Sequence, residues 1–295
     1  VARDSIVDST ENEEMLENIV TICQESIHQI RDKGLLNPIF FDVIPNSEDE
    51  LDLFYMPIFR GLVEEFSSRE NKLIPLKDGS YGSVDRSVFC SRRVSDTFKD
   101  KEDLNILFDD ENLDGFAITH VNNSRYEKFL SSLTDLNEYD DSEVFNFMYE
   151  IALEINDAYV EHWTDKFETY LGEASKNYLK LAYKRRGWLE SKSNDYIQSL
   201  YAFFQDTIER SSYELTGSSS FSDLTHFIKY INGEFNYGGL KSYFKDDNTK
   251  SKTDLSFVHP EVYLSGSASQ QKKSKSLLEK IGVEYVGEST HIEYL

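Results

Sequence analysis

The chain has 295 residues, and its 54 aspartate and glutamate residues against 31 lysine and arginine residues give a formal net charge of −23. A polyanion of this strength repels phosphate backbones, which excludes a general nucleic-acid-binding surface unless basic residues are strongly segregated. Hydrophobic residues make up 39% of the chain, which excludes a disordered acidic tail and suffices for a core in one large or two ordinary domains.

Targeting signals and cysteines narrow the class of protein further. No apolar run approaches the roughly 18 to 20 residues that span a bilayer, and the N-terminus has no secretory h-region. We therefore expect a cytoplasmic protein without membrane contact. Cys23 and Cys90 lie far apart with no CxxC pair, which argues against a structural zinc site or a disulfide scaffold. The missing initiator Met and the final residues, which read as the start of a helix, suggest a piece of a longer polypeptide.

The first predicted element is an amphipathic helix. It is expected to begin at Thr10, in a capping box with Glu13, and to end at Gly34. Apolar residues recur at three- and four-residue steps along one face, which predicts a buried stripe of Met15, Ile19, Ile22, Cys23, Ile27 and Ile30. Residues 35–45 follow as an apolar segment that contains two prolines, and we predict extended chain there.

A second helix and a β-hairpin come next. The acidic residues 47–50 indicate a helix start, and the apolar pattern that follows runs to Phe66, with a kink or a late start expected at Pro57. Residues 72–89 predict a hairpin whose turn contains Gly79, a residue that adopts positive φ at low cost. The acidic residues 100–114 are predicted to form a loop, and residues 115–121 a strand.

Helices dominate the sequence after about residue 141. We predict them at residues 142–171, 174–186, 194–211, 222–232 and 271–281. Residues 257–264 are predicted to be extended, because Pro260 limits regular structure. The fold class is therefore mainly α with small β-hairpin elements (α+β). The predicted domains are an α+β region at residues 1–138 and a mainly helical region at residues 139–295.

One local pattern suggests a metal site. Asp110, Asn112, Asp114 and Gly115 match the first half of a calcium-binding loop, but the closing position is Val121, which cannot supply the bidentate carboxylate. We favour an acidic surface turn that leads into a strand. The six histidines form no HxxxH or HExxH pair, so we assign no metal ligand and no cofactor.

Motifs for covalent catalysis and nucleotide binding are also missing. The sequence contains no GxSxG, no GxxxxGK[ST] and no GxGxxG, and we assign no catalytic residue. These observations favour a non-enzymatic role. The alternative is a metal-dependent nuclease or another hydrolase whose carboxylates converge only in the folded chain.

A basic segment stands out against the acidic background. Its members are Lys176, Lys180, Lys184, Arg185 and Arg186, with Tyr178, Tyr183 and Trp188 interleaved. Such a helix could bind an acidic partner or, as a further alternative, single-stranded nucleic acid. We favour neutralisation by carboxylates of the same chain, since charged helix faces are usually solvated or paired.

Aromatic residues supply a second group of interaction candidates. Most aromatic side chains after residue 195 have helical spacing and are expected in the core. Phe235 and Tyr237 lie instead in a glycine-rich loop at residues 233–240, where we expect them to be less easily buried and available to a partner. The interaction candidates are thus Lys180, Lys184, Arg185, Arg186, Trp188, Phe235 and Tyr237.

Three stretches carry a family resemblance: residues 40–45 (FFDVIP) with the helix that follows, residues 73–89 (LIPLKDGSYGSVDRSVF), and residues 257–264 (FVHPEVYL) with 277–286 (LLEKIGVEYV). Together they resemble the region downstream of the ATPase module in large sacsin-like proteins, which carry an ATP-binding domain of the ninety-kilodalton heat-shock chaperone type. The resemblance implies that ATPase activity belongs to another domain of a longer protein. It also implies that an arginine of this segment approaches the nucleotide, for which Arg86, Arg92 and Arg93 are the candidates.

The leading hypothesis is a non-catalytic interaction or regulatory segment of a sacsin-like, chaperone-type ATPase protein, in protein quality control or bacterial defence. Its expected partners are other domains of the parent polypeptide or a separate protein. The overall negative charge disfavours nucleic acid as a partner. Only the basic helix could provide a site for it.

Overall fold

A computed structural model describes residues 10–47, 49, 55–119, 124–162, 173–210, 221–237, 240–245 and 255–286. The fold is mainly α with a few short strands in small sheets, which confirms the predicted fold class. The chain divides into two compact units: Val1–Asn105 with Asp109–Asp140, and Ile106–Phe108 with Asp141–Leu295. Within the described residues, no helix is both long enough and apolar enough to cross a membrane.

The first unit combines helices with two small sheets. Its elements are α1 (Thr10–Asp32), a 3₁₀-helix (Pro38–Asp42), α2 (Tyr55–Ser67), β1 (Ile74–Pro75), β2 (Tyr81–Gly82), a 3₁₀-helix (Val84–Arg86), β3 (Ser87–Cys90), α3 (Arg92–Thr97), α4 (Lys101–Phe108), β4 (Gly115–Phe116), α5 (Ser124–Leu130) and β5 (Asn137–Tyr139). The last three residues of α4, Ile106–Phe108, belong to the second unit.

The predicted hairpin is confirmed in its first half only. Strands β1 and β2 pair antiparallel across a turn in which Gly79 has φ +87°. The chain then leaves the hairpin, and β3 joins a different sheet, where it pairs in parallel with β4 on one side and β5 on the other. The predicted strand at 115–121 is β4, followed by a single bridge from Ala117 to Leu76, while residues 120 and 121 lie outside the described part.

Two predictions of irregular or extended chain in the first unit are wrong. The acidic stretch 100–114 contains α4, because Asp100 caps the helix by accepting the Asp103 amide at 2.8 Å and its acidic first turn suits the helix dipole. Residues 35–45 contain the 3₁₀-helix Pro38–Asp42. Asn37 accepts the Ile39 amide at 3.0 Å, and Pro38 occupies the first helical position, where no amide hydrogen is needed.

The stripe predicted on α1 is partly wrong. Ile27 is buried, and Ile19, Cys23 and Ile30 pack against the core, but Met15 and Ile22 are more than half exposed. At 100° per residue both lie on one flank of the helix, outside the arc that meets the core. The predicted capping box is also wrong, because Thr10 is itself helical and no capping bond to Glu13 occurs among the described residues.

An aromatic cluster forms the core of the first unit. The Phe41 side chain is fully buried, and its ring centroid lies 4.8 Å from Tyr126, 5.1 Å from Phe129 and 5.7 Å from Phe66. These rings come from the 3₁₀-helix, α2 and α5. Phe41 meets Tyr126 and Phe66 edge-to-face, and such pairs add to the stability gained from area burial alone.

An ion pair between Arg125 and Asp49 connects α5 to the segment that follows the 3₁₀-helix Pro38–Asp42. Arg125 of α5 donates from both terminal nitrogens to Asp49, at 2.7 and 2.8 Å, and also to the Ile44 carbonyl at 2.9 Å. The hydrogen bond from Arg125 lowers the pKa of Asp49 from 3.8 to about 2. The charged form of Asp49 is therefore stabilised by folding.

Acidification is expected to remove this contribution. Because the pKa of Asp49 is lower in the folded chain, its contribution is complete above the unfolded pKa of about 3.9 and is lost as the pH falls towards 2. We expect Asp49→Asn to lower the free energy of unfolding by about 1 kcal/mol at pH 6, allowing for solvent screening of this partly exposed pair, and by much less at pH 2.5. Urea titrations at both pH values measure the difference. The exposed Glu70→Gln serves as control, and an equal effect in both variants would contradict the assignment.

The second unit is built from longer helices and one small sheet. Its elements are α6 (Asp141–His162), α7 (Glu173–Ser191), α8 (Asn194–Arg210), a 3₁₀-helix (Phe221–Phe227), β6 (Ser242–Phe244), β7 (Ser256–Phe257), α9 (Glu261–Leu264), α10 (Ala268–Lys280) and β8 (Glu284–Tyr285). Strand β6 is central and pairs in parallel with β7 and β8. A capping box between Ser267 and Gln270 begins α10.

Two predicted elements of the second unit differ from the structure. The helix predicted at 222–232 is a 3₁₀-helix that ends at Phe227, after which Tyr230 forms a bridge to Val258. The extended segment predicted at 257–264 is a strand followed by α9, since Pro260 lies at the N-cap position just before the helix, where a missing amide hydrogen breaks no helical hydrogen bond. The end of the helix predicted at 142–171 lies outside the described residues.

Candidate functional site

Helix α7 has an inner and an outer side. Leu179, Ala182, Trp188 and Leu189 are buried on the inner side. The opposite side, which we call the outer face, presents the exposed side chains of Lys176, Lys180, Tyr183 and Lys184. The helical period produces this division, because residues three and four apart share a face. Tyr178 is also partly exposed but lies 200° from Lys180 on the helix, and so outside the outer face.

Arg185 points inward and is not available as an interaction residue. It is 7% exposed, it forms an ion pair with Glu154 of α6, and its Nε donates to the Ile106 carbonyl at 3.3 Å. A buried guanidinium needs such partners, since desolvation without them is costly. The expected neutralisation of the basic segment by carboxylates of the same chain is confirmed at this position.

Arg186 joins the basic helix to the aromatic loop. Its guanidinium carbon lies 4.4 Å from the Tyr237 ring centroid, and its Nε donates to Glu190 at 2.9 Å. The Tyr237 hydroxyl donates to the same Glu190 oxygen at 3.1 Å. Burial opposes the charge of Arg186, but the Glu190 carboxylate outweighs it and raises the pKa of Arg186. The two groups of candidates predicted separately thus form one cluster.

Two lysines that the sequence prediction missed complete this cluster. Lys192 Nζ lies 5.3 Å from the Trp188 ring centroid and 5.0 Å from that of Tyr196, within cation–π range. Lys229 Nζ donates to the Lys192 carbonyl at 3.0 Å and lies 5.7 Å from the Phe235 ring. Burial lowers the pKa of Lys229. The spacing Trp188, Lys192, Tyr196 could have indicated the first contact, whereas no local pattern predicts Lys229.

The expected exposure of Phe235 and Tyr237 is wrong, and Trp188, another interaction candidate, is also buried. Phe235 is 3% exposed, Tyr237 6% and Trp188 3%, and the cations of Arg186, Lys192 and Lys229 lie near their rings. These side chains stabilise the second unit from inside. Of the seven interaction candidates, Lys180 and Lys184 are the two that lie on the outer face.

The three arginines considered for nucleotide contact lie at the surface of the first unit. Arg86 is exposed at the end of a 3₁₀-helix, and Arg92 is exposed on α3, where its Nε lies 3.3 Å from Asp96. Arg93 is half-buried, and its carbonyl accepts from Thr97 at 2.9 Å. The nucleotide-contacting role of these residues stays a prediction.

The calcium-like pattern has a structural use. Asp114 accepts from Lys72 at 2.9 Å and from the Ser83 amide at 3.1 Å, and thereby ties β4 to the hairpin. Asp110 accepts from the Asn112 amide at 2.8 Å in a local turn. Among the described residues, no three His, Cys, Asp or Glu side chains are grouped so that they could hold a metal ion.

The three histidines whose side chains the structure describes each lie next to a polar group of the fold. His226 is buried and its Nδ1 lies 2.9 Å from the Asn236 carbonyl, while His28 pairs with Glu65 at 2.7 Å. His259 lies beside Asn194. His120, His291 and the side chain of His162 lie outside the described residues.

Comparisons with protein-family models, with curated proteins and with solved structures give no match to this chain. The candidate site therefore depends on its geometry alone. The outer face of α7 offers ammonium groups and a phenol ring on a rigid helix, which suits recognition of an anionic surface.

Proposed function

We propose that this chain is a non-catalytic interaction segment in which the outer face of α7 binds an acidic segment of a partner protein or of the parent polypeptide. The observation that carries the proposal is the division of the basic helix. Arg185 is buried and paired with Glu154, and the half-buried Arg186 is paired with Glu190, while the side chains of Lys180 and Lys184 are exposed at the surface of a chain with a net charge of −23.

The dimensions of the outer face fit a short acidic peptide. Lysines at positions 176, 180 and 184 recur every four residues, so their Cα atoms lie about 6 Å apart along the helix axis. Tyr183, which is 41% exposed, lies beside them and adds an amphipathic ring of the type enriched at protein interfaces.

An acidic peptide fits this face better than single-stranded nucleic acid. Proteins that bind single strands combine a basic groove with several stacking rings. The outer face is a convex helix surface with one exposed tyrosine among its lysines, and the rest of the chain repels a long phosphate backbone.

The parent protein is proposed to be a sacsin-like, chaperone-type ATPase of quality control or bacterial defence, located in the cytoplasm. The sequence segments at residues 40–45, 73–89, 257–264 and 277–286 support this assignment.

ATP turnover by the full-length protein with Arg86, Arg92 and Arg93 changed singly to alanine tests the proposed contact between one of these arginines and the nucleotide. We expect a lower rate of ATP turnover in one variant. Unchanged rates in all three variants would contradict the nucleotide contact.

Charge reversal on the outer face is expected to abolish peptide binding. We predict that Lys180→Glu with Lys184→Glu weakens binding of a fluorescein-labelled Glu/Leu peptide at least about tenfold, because close like charges replace opposite ones. Fluorescence anisotropy at low salt measures the affinity.

The matched control reverses Lys272 and Lys280, two exposed lysines of α10, with the same change in net charge. Unchanged affinity in this control is expected, and an equal loss would contradict a localised site. Tighter binding of a dT oligonucleotide than of the peptide would replace the acidic-peptide proposal with a nucleic-acid one.

A further inference from the structure

A groove of about 560 Å³ runs between α1 and α2 in the first unit. A second depression of about 520 Å³ adjoins it on α2, and the two share Arg60 and Glu64. Leu16, Val20 and Pro57 contribute half-buried apolar surface to the groove. The surface is thus concave and partly apolar, a combination typical of a site for a peptide segment.

Gly61 sets the floor of the groove. A Cβ atom at this position would lie 2.4 Å from Val20 Cγ1, so only glycine lets the two helices approach this closely. Gln24 donates to the Gly61 carbonyl at 3.0 Å and holds the crossing in place. The groove follows from helix packing and is preformed.

The rim of the groove is acidic and its charges are not used within the fold. Glu13 and Glu17 of α1 and Glu64 of α2 are exposed there, against the single cation of Arg60. Within the described part of the chain, none of these four side chains makes a hydrogen bond or an ion pair. The rim therefore presents two uncompensated negative charges beside an apolar floor.

We propose that this groove binds a basic amphipathic helix of a partner protein. An apolar face of such a helix would cover Leu16, Val20 and Pro57, and flanking lysine or arginine side chains would meet the rim carboxylates. The charge of the groove is opposite to that of the outer face of α7. The inference is therefore independent of the function proposed above and predicts a second partner chemistry.

The test uses a fluorescein-labelled, 12-residue amphipathic Leu/Lys peptide and the whole chain. We expect saturable binding that Glu13→Lys with Glu17→Lys weakens at least about tenfold. The matched control is Glu11→Lys with Glu25→Lys, which also reverses one glutamate in the first turn of α1 and one further along, neither of which lines the groove. The control is expected to retain most of the affinity.

Several outcomes would overturn this site. Equal weakening in both double variants would show a response to net charge alone. Equal binding of a Ser/Lys peptide of the same charge would show that the apolar floor contributes nothing. Lack of saturable binding would also reject it. Lys180→Glu with Lys184→Glu should leave Leu/Lys binding within twofold, which separates a failure here from a failure of the α7 proposal.

Discussion

Replacing Phe41 with alanine is expected to lower the free energy of unfolding of the first unit by about 3–5 kcal/mol. Phe41 is fully buried, and its ring meets Tyr126, Phe129 and Phe66 at the centre of the core. Truncation removes the transfer free energy of the ring and leaves a cavity that rigid aromatic neighbours cannot fill.

Urea unfolding followed by far-UV circular dichroism measures this effect. Ile39→Ala is the matched control, because Ile39 lies in the same 3₁₀-helix but is 68% exposed, and we expect its effect to stay within about 0.5 kcal/mol. A Phe41→Ala effect as small as the control would mean that the cluster does not form the core of this unit.

The second large effect is expected at Arg185. Arg185→Ala should lower the free energy of unfolding of the second unit by about 3–5 kcal/mol, because it leaves the Glu154 carboxylate without its partner in a largely buried setting. The double variant Arg185→Met with Glu154→Gln should recover most of this loss, since no unpaired charge then remains.

Tryptophan fluorescence, to which Trp163 and Trp188 both contribute, measures the unfolding. Trp188 lies three residues beyond Arg185 on α7, and Lys180→Ala is the exposed control on the same helix. Lys180→Ala is expected to change stability by less than about 0.5 kcal/mol. If Arg185→Ala proved equally mild but weakened acidic-peptide binding, Arg185 would belong to the interaction surface and its structural assignment would be wrong.

Local chemistry explains which elements were predictable. The three-to-four-residue apolar period predicted α1, α8 and α10 to within a few residues, and the Asp78–Gly79 pair predicted the hairpin turn. Helix α4 was missed because its acidic residues resembled a loop, although acidic side chains at a helix N-terminus stabilise it. Strand β3 was assigned to the wrong sheet because its partners are distant in sequence.

The candidate site was likewise predictable only in the features that depend on neighbouring residues in the sequence. The cluster of basic residues on α7 was evident from the sequence, but the sequence did not show which of them lie inward. Arg185 is drawn inward by a carboxylate 31 residues away, and Arg186 by a tyrosine 51 positions later. The groove between α1 and α2 had no sequence signature, because it depends on how closely two helices approach at Gly61.

The sequence by itself determined the acidic character, the helical majority and the position of the basic helix, since composition and short-range periodicity are local properties. The tertiary structure alone decided that Phe235, Tyr237 and Trp188 are core residues and that Lys180 and Lys184 remain outside. The reason is that burial of a charged or aromatic side chain depends on whether a partner far along the chain can satisfy it.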